Sequence, residues 1–318
     1  MPEYKYAPQN GHKLYRHLAA VPNSELFHER HSVPMAHPAD LFSEKLAEVV
    51  DFYVRIANDV RGSEASSQRS DLTKALVLSV NEFYDQLFLI IKCLTPPGPS
   101  AGQRQTDVLS QLRESNDSVL RKFYGPTKGE HTLIRDIANV LKHQPSSIEL
   151  LELANHKGVT VQGFTVQVVI GPDDLRGHSR AIHSMYRVKV NTGFSFNHFL
   201  LNVLGRMCSY MERLDAALFT TTSPAVDRRL TDLDRLIDSA QAIEPEFFPD
   251  EYKKPYAQLT TRRESKVVTF PARYRLARNE DPDRIQSVSV PGFINQRTSR
   301  SHQALPYLQL TRPDSDWV

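Results

Sequence analysis

Arg135, Asn139 and His143 stand four residues apart, an interval that stacks their side chains one above another if the segment is helical. At about 100° per residue, Leu133, Ile134, Ile137, Val140 and Leu141 gather on one side of such a helix, and His131, Arg135, Asn139, Lys142 and His143 on the other. An arginine and a lysine can hold a phosphate, while an imidazole, which as a class titrates near neutrality, can move a proton. Arg135, Asn139 and His143 are therefore the candidate catalytic residues, and His131 and Lys142 the candidates for holding RNA or phosphate. The same side chains also suit the solvated face of an amphipathic helix. In a last turn, Lys142 and His143 would complement the negative end of the helix dipole, for roughly 0.3–1 kcal/mol.

The stretch Arg135-Asp136-Ile137-Ala138-Asn139-Val140-Leu141-Lys142-His143 resembles the motif helix of HEPN-like proteins, a group that includes abortive-infection proteins of bacteria. In that family the helix carries an arginine, a polar residue that is often asparagine, three variable residues and a histidine. Two subunits bring their motif helices together into a metal-independent ribonuclease site. Asn139 and His143 match the asparagine and histidine with the family's spacing, and Ala138 occupies the position of its arginine. Arg135, one turn earlier, is the arginine available to stand in. The resemblance covers at most residues 41–145 and implies a helical bundle that works as a dimer.

Other clusters fit known chemistry less well. His28-Glu29-Arg30-His31, with His37 nearby, lacks the His-Glu-x-x-His spacing of a helical zinc site and reads as loop histidines. Lys128-Gly129-Glu130 lacks the glycine-rich lead of a phosphate-binding loop and reads as a helix-start turn. Arg176 to His183 gathers basic residues and histidines between two strands, away from any helix. Asp227, Arg228, Arg229, Asp232, Asp234 and Arg235 read as a charged helix surface. No metal or cofactor is implied by any of them.

The elements that must position the candidate helix come from apolar periodicity. From Asp40, a good N-cap, Leu46, Val49, Val50, Tyr53, Ile56 and Val60 repeat at three and four, which predicts a helix to about Arg61-Gly62. A second is expected from Asp71 to Leu94, stopped by Pro96-Pro97-Gly98-Pro99, and a third from Thr106 to Phe123, closed by Gly125-Pro126. The candidate helix, Glu130 to His143, is the fourth. After it, Val159 to Ile170 alternates as a strand, with Gly163 as a break point, and Met185 to Val190 alternates again, so the two read as a hairpin. Helices from Ser195 or Asn197 to about Phe219, and from Val226 to Ile243, return to the bundle. Beyond Glu244 only short strand-like pieces such as Lys266–Phe270 appear.

The expected fold is thus mainly α: a helical bundle over 41–243 with an inserted β-hairpin near 158–191. An irregular N-terminal extension, 1–40, and a basic C-terminal arm, 244–318, flank it. The extension holds five of the twelve histidines, and the arm carries Tyr307, Leu308, Leu310 and Trp317, which suit packing along a neighbouring surface. These arms are where a second copy or a protein partner is expected.

A net charge of +2 on 318 residues is no electrostatic signature of nucleic-acid binding, though it permits it. Cys93 and Cys208 each fall in an apolar helical pattern and read as buried reduced thiols. No segment has signal-peptide character or the ~20 apolar residues of a membrane span, so a cytoplasmic address is expected. Two functions follow: a non-catalytic interaction or scaffolding subunit built on a HEPN-like bundle, binding a protein or nucleic-acid partner, or else a metal-independent HEPN-like ribonuclease or nucleotide-binding component of a bacterial defence system.

Overall fold

Helices dominate the chain, as the three-and-four spacing of its apolar residues requires. The computed structural model describes residues 3–6, 13–31, 33–62, 68–97, 105–154, 160–169, 171, 176–183, 185–186, 190–219, 230–248, 250–262, 265–272 and 295–298. Its helices are α1 (Lys13–Ala20), α2 (Pro38–Arg61), α3 (Arg69–Cys93), α4 (Gln105–Ser115), α5 (Asp117–His143), α6 (Phe196–Leu218) and α7 (Thr231–Gln241). Its strands are β1 (Glu3–Tyr6), β2 (Ser146–Ala154), β3 (Thr160–Val169), β4 (Arg176–His178), β5 (Met185–Tyr186), β6 (Val190–Asn191), β7 (Phe194–Ser195), β8 (Tyr256–Arg262), β9 (Ser265–Ala272) and β10 (Asn295–Thr298). The fold is mainly α with small antiparallel sheets. No helix among the described residues is long and apolar enough to cross a membrane.

Each long helix starts where local chemistry allows. His37, not Asp40, caps α2: its Nδ1 accepts the Ala39 N–H at 3.2 Å, and Pro38 sits in the first turn, where its missing N–H costs nothing. Asp40 lies inside that turn and its charge favours the helix dipole. At the start of α6, Ser195 Oγ accepts the His198 N–H at 3.3 Å. This helix is buried almost all round, packing against α1, α2, α3, α5, α7 and strands of both larger sheets. Its Met207, Tyr210, Met211 and Leu214 meet α2 and α3 residues such as Tyr53 and Leu76 in one continuous core.

The expected break at Gly125-Pro126 does not occur. The chain bends instead at Asn116, whose Nδ2 donates to Thr95 Oγ1 at 3.1 Å, and α5 then runs unbroken through Pro126 to His143. A proline inside a helix costs on the order of 3 kcal/mol. Here Gly125 and Pro126 face solvent while Phe123 and Thr127 on either side are fully buried. Thr127 Oγ1 donates to the Phe123 carbonyl at 2.7 Å and lies 2.9 Å from Tyr84 Oη. Tertiary anchoring of the two flanking residues outweighs the local penalty.

The strand pairing also departs from expectation. The strand read over 159–170 appears as β3, but its main partner is β2, in antiparallel register from Ser146↔Val168 to Ala154↔Thr160. Met185–Tyr186 pairs with Val190–Asn191 in a separate two-stranded ladder, so the expected hairpin between 159–170 and 185–190 is not formed. Around β2 and β3 the sheet order is β10-β2-β3-β4, with β7 also on β3. Gly163 does not break β3. It pairs with both Leu151 and Ser195, and a Cβ there would collide with the Phe194 carbonyl oxygen and the Phe248 ring.

Neither terminal segment is irregular throughout. Within 1–40 lie β1, α1 and a 3₁₀ turn at Asn23–Glu25, and Leu14 and Leu18 of α1 are fully buried. His17 Nδ1 and Lys13 Nζ of α1 both contact the buried Asp215 carboxylate of α6, the lysine at 2.8 Å. The piece Lys266–Phe270 lies in β9, which forms the centre of a β1-β9-β8 sheet and packs Phe270 under α6 at Gly205. Tyr307, Leu308, Leu310 and Trp317 fall outside the described residues. Cys93 and Cys208 are free and buried, and burial pushes both thiols up to about 12.

Candidate functional site

Helices α3 and α5 run past each other in opposite directions. Phe88 meets Tyr124, Tyr84 meets Thr127 and His131, and Glu82 meets Lys142. Between them, with α4 at one end and Lys45 of α2 at the other, lies a groove of about 750 Å³. All five sequence-predicted residues line it: His131, Arg135, Asn139, Lys142 and His143. The stretch from Tyr124 to Lys142 covers about 27 Å at 1.5 Å per residue.

The groove has two chemically different ends. Phe88 and Leu89 of α3, Val108 and Leu109 of α4 and Tyr124 of α5 make one end apolar and aromatic. The other end is cationic. Along the groove Lys45, Lys128, Arg135 and Lys142 share the lining with the carboxylates Glu82 and Asp85. Arg135 Nε is 3.7 Å from Asp136 Oδ1, with its side chain 43% exposed, and Lys142 Nζ is 3.7 Å from Glu82 Oε1. Asn139 and His143 are exposed. Lys128 Nζ sits 5.6 Å above the Tyr124 ring, a cation–π contact.

His131 does not share the open arc expected of it. It is only 3% exposed and forms the groove floor, because the α3 wall covers it: its ring stacks on Tyr84 with centroids 3.8 Å apart. Asn81 Oδ1 can only accept, so His131 Nε2, 3.1 Å away, carries the proton, and Nδ1 accepts from Tyr210 Oη at 3.3 Å. Burial, reinforced by the Arg206 and Arg135 guanidiniums, pushes its pKa down to about 3. His131 is a neutral hydrogen-bonding bridge between α3, α5 and α6, and brings no positive charge to a phosphate.

Behind that bridge, Glu130 Oε1 accepts from Arg213 Nη2 at 2.9 Å and Glu130 Oε2 from Ser209 Oγ at 2.7 Å, which fixes the rotation of α5 against α6. Fixing that rotation keeps Arg135, Asn139 and His143 turned to the groove. Ala138, by contrast, is fully buried in the core.

Lys45, Glu82 and Tyr124 were not singled out by the sequence. Lys45 and Glu82 sit on other helices and Tyr124 about three turns before Arg135, so no short-range spacing connects them to the motif. A signal did exist in α3, where Asn81, Glu82, Asp85 and Gln86 interrupt an otherwise apolar stripe. Lys128-Gly129-Glu130, read as a helix-start turn, lies well inside α5.

The remaining histidine clusters are structural. The His28 and His37 rings are 6.0 Å apart, and His31 Nε2 bonds the Lys92 carbonyl oxygen at 3.0 Å. Among the described residues no group of three His, Cys, Asp or Glu side chains could hold a metal ion. His178 and His183 are buried with rings 5.8 Å apart. His183 Nε2 accepts the Val166 N–H at 2.8 Å, and burial pushes its pKa down to about 3. Arg235 pairs with Asp232 at 2.9 Å, and Asp227, Arg228 and Arg229 lie outside the described residues.

A second titratable pair lies at the start of α6. Fully buried Glu251 accepts the Ser195 N–H at 3.1 Å and the Phe248 N–H at 3.0 Å, clipping the 248–251 turn to the helix. Burial, with Asp250 beside it, pushes Glu251 up to about 8. Neighbouring His198 is pushed down to about 3 by burial and by Lys254.

No protein-family model, curated protein or solved structure matches this chain.

Proposed function

We propose that the chain is a non-catalytic interaction subunit, built on a helical bundle similar to that of HEPN proteins, and that it holds an RNA strand in the groove between α3 and α5. One observation carries the reading: Arg135, Asn139, Lys142 and His143 line the same concave surface as Lys45 and Lys128, with an aromatic end beyond them. Cations can neutralise successive phosphates, and the half-buried Tyr124 ring is the aromatic face on which an unpaired base can stack. A length of about 27 Å suits an extended strand better than a single phosphate.

The reading is tested by fluorescence anisotropy of a labelled single-stranded oligoribonucleotide over a salt series. Neutralising about three phosphates gives a slope near −2 in log affinity against log salt, at about −0.7 per phosphate for single strands. Arg135→Ala with Lys142→Ala should flatten that slope and weaken binding. A wild-type chain that binds no strand at low salt sinks the reading.

Exposure of both Asn139 and His143 on the groove supports a second reading, a metal-independent ribonuclease using Arg135, Asn139 and His143. It predicts cleavage of a structured RNA in chelator, lost in His143→Ala. The terminal segments remain the proposed contact with a second copy or a protein partner.

A further inference from the structure

At the cationic end of the groove three helices meet over one carboxylate. Glu82 Oε2 of α3 lies 3.3 Å from Lys45 Nζ of α2, and Glu82 Oε1 lies 3.7 Å from Lys142 Nζ of α5. All three side chains line the groove, and all three are open to water, at 28%, 35% and 43% exposure for Lys45, Lys142 and Glu82. Bridges this exposed contribute little to folding, so stability does not account for the glutamate's position. Two ammonium groups around one resident carboxylate is an arrangement in which an arriving anion exchanges with the one already there.

We propose that Glu82 is an internal counter-anion, which holds Lys45 and Lys142 in the free chain and is displaced by a phosphate of the bound strand. This rests on the reading of the groove as a strand-binding site. The exchange trades two ion pairs with Glu82 for two with phosphate, so the lysines contribute little to affinity while the glutamate is charged. Arg135 is held differently: the carboxylate near it is Asp136, its neighbour in sequence, 3.7 Å away. Glu82 therefore acts on two of the groove cations and sets how much charge a partner must carry to open that end. A weakly charged strand leaves Glu82 in place, and a dense run of phosphates removes it.

The test compares wild type, Glu82→Gln and Glu48→Gln, all as full chains, for anisotropy of a fluorescein-labelled single-stranded oligoribonucleotide. Glu48 accepts from the same Lys45 Nζ at 2.7 Å but lies outside the groove lining. Glu48→Gln thus makes the same change of net charge beside the same lysine while leaving Lys142 untouched. Glu82→Gln should bind about three- to tenfold tighter than wild type, with Glu48→Gln within about twofold, as expected for partly screened charges. Unchanged or weaker binding by Glu82→Gln overturns the counter-anion role and leaves the groove reading standing. Equal gains in the two variants overturn it as well, because net charge then explains both. If neither wild type nor Glu82→Gln binds, the role and the groove reading fall together.

Discussion

Replacing His131 by glutamine should make the fold less sensitive to acid, even though it removes a buried hydrogen bond. His131, His183 and His198 are all buried, and each has its pKa pushed from 6.5 down to about 3. A base with a depressed folded pKa contributes stability that is present above its unfolded pKa and is lost as pH falls toward the folded value. Each imidazole therefore loses about 1.4 kcal/mol per pH unit below 6.5, or about 2 kcal/mol between pH ~7.5 and pH ~5. Three of them lose about 6 kcal/mol. Glu251 opposes them: pushed up by burial, it makes the folded chain the better proton acceptor and returns part of that loss over the same interval. The net expectation for wild type is a loss on acidification, since these three sites, joined by buried His31, which burial also pushes down, outweigh one. In His131→Gln that loss should shrink by about 2 kcal/mol, and in Glu251→Gln it should grow. Urea denaturation at the two pH values reads each difference directly, independently of what the substitution costs at neutral pH. An acid-induced loss in His131→Gln equal to that of wild type would refute the assignment of His131 as a buried neutral group.

Other consequences can be checked separately. Ala138→Arg would place a guanidinium in the core among Ile134, Ile137 and Leu141, and should destabilise by more than about 3 kcal/mol, read as a collapse of the thermal transition. Gly163→Ala drives a methyl into the Phe194 carbonyl and the Phe248 ring and should cost about 1–3 kcal/mol in chemical denaturation. Cys93 and Cys208, with thiols pushed up to about 12 by burial, should resist alkylation at neutral pH in the native chain and react on unfolding.

The helical core could be read from the sequence because burial repeats at the period of the helix: Leu76, Val80, Phe83, Leu87 and Ile91 all mark α3, and Ser195 marks the start of α6. What was illegible depends on contacts distant in sequence. Ser146–Ala154 is rich in leucine and glutamate, good helix formers, and becomes β2 only because β3 lies alongside it. Pro126 signals a helix end, and its neighbours Phe123 and Thr127 overrule it from inside the core. Lys13 to Ala20 is too short to announce a helix, and is held by Leu14, Leu18 and the Asp215 contacts. The site shows the same division. The spacing of Arg135, Asn139 and His143 placed them on one helix face, and that face does line a groove. The burial of His131 was hidden because the covering residue, Tyr84, lies on another helix.

Ultraviolet cross-linking of a single-stranded RNA to the full chain, with the attached peptides identified by mass spectrometry, tests the groove most directly. Cross-links to Tyr124 and to peptides from 124–143 and 81–89, suppressed by Arg135→Ala with Lys142→Ala, are the predicted result. Cross-links confined to surfaces away from α3 and α5, and indifferent to that double substitution, would contradict it.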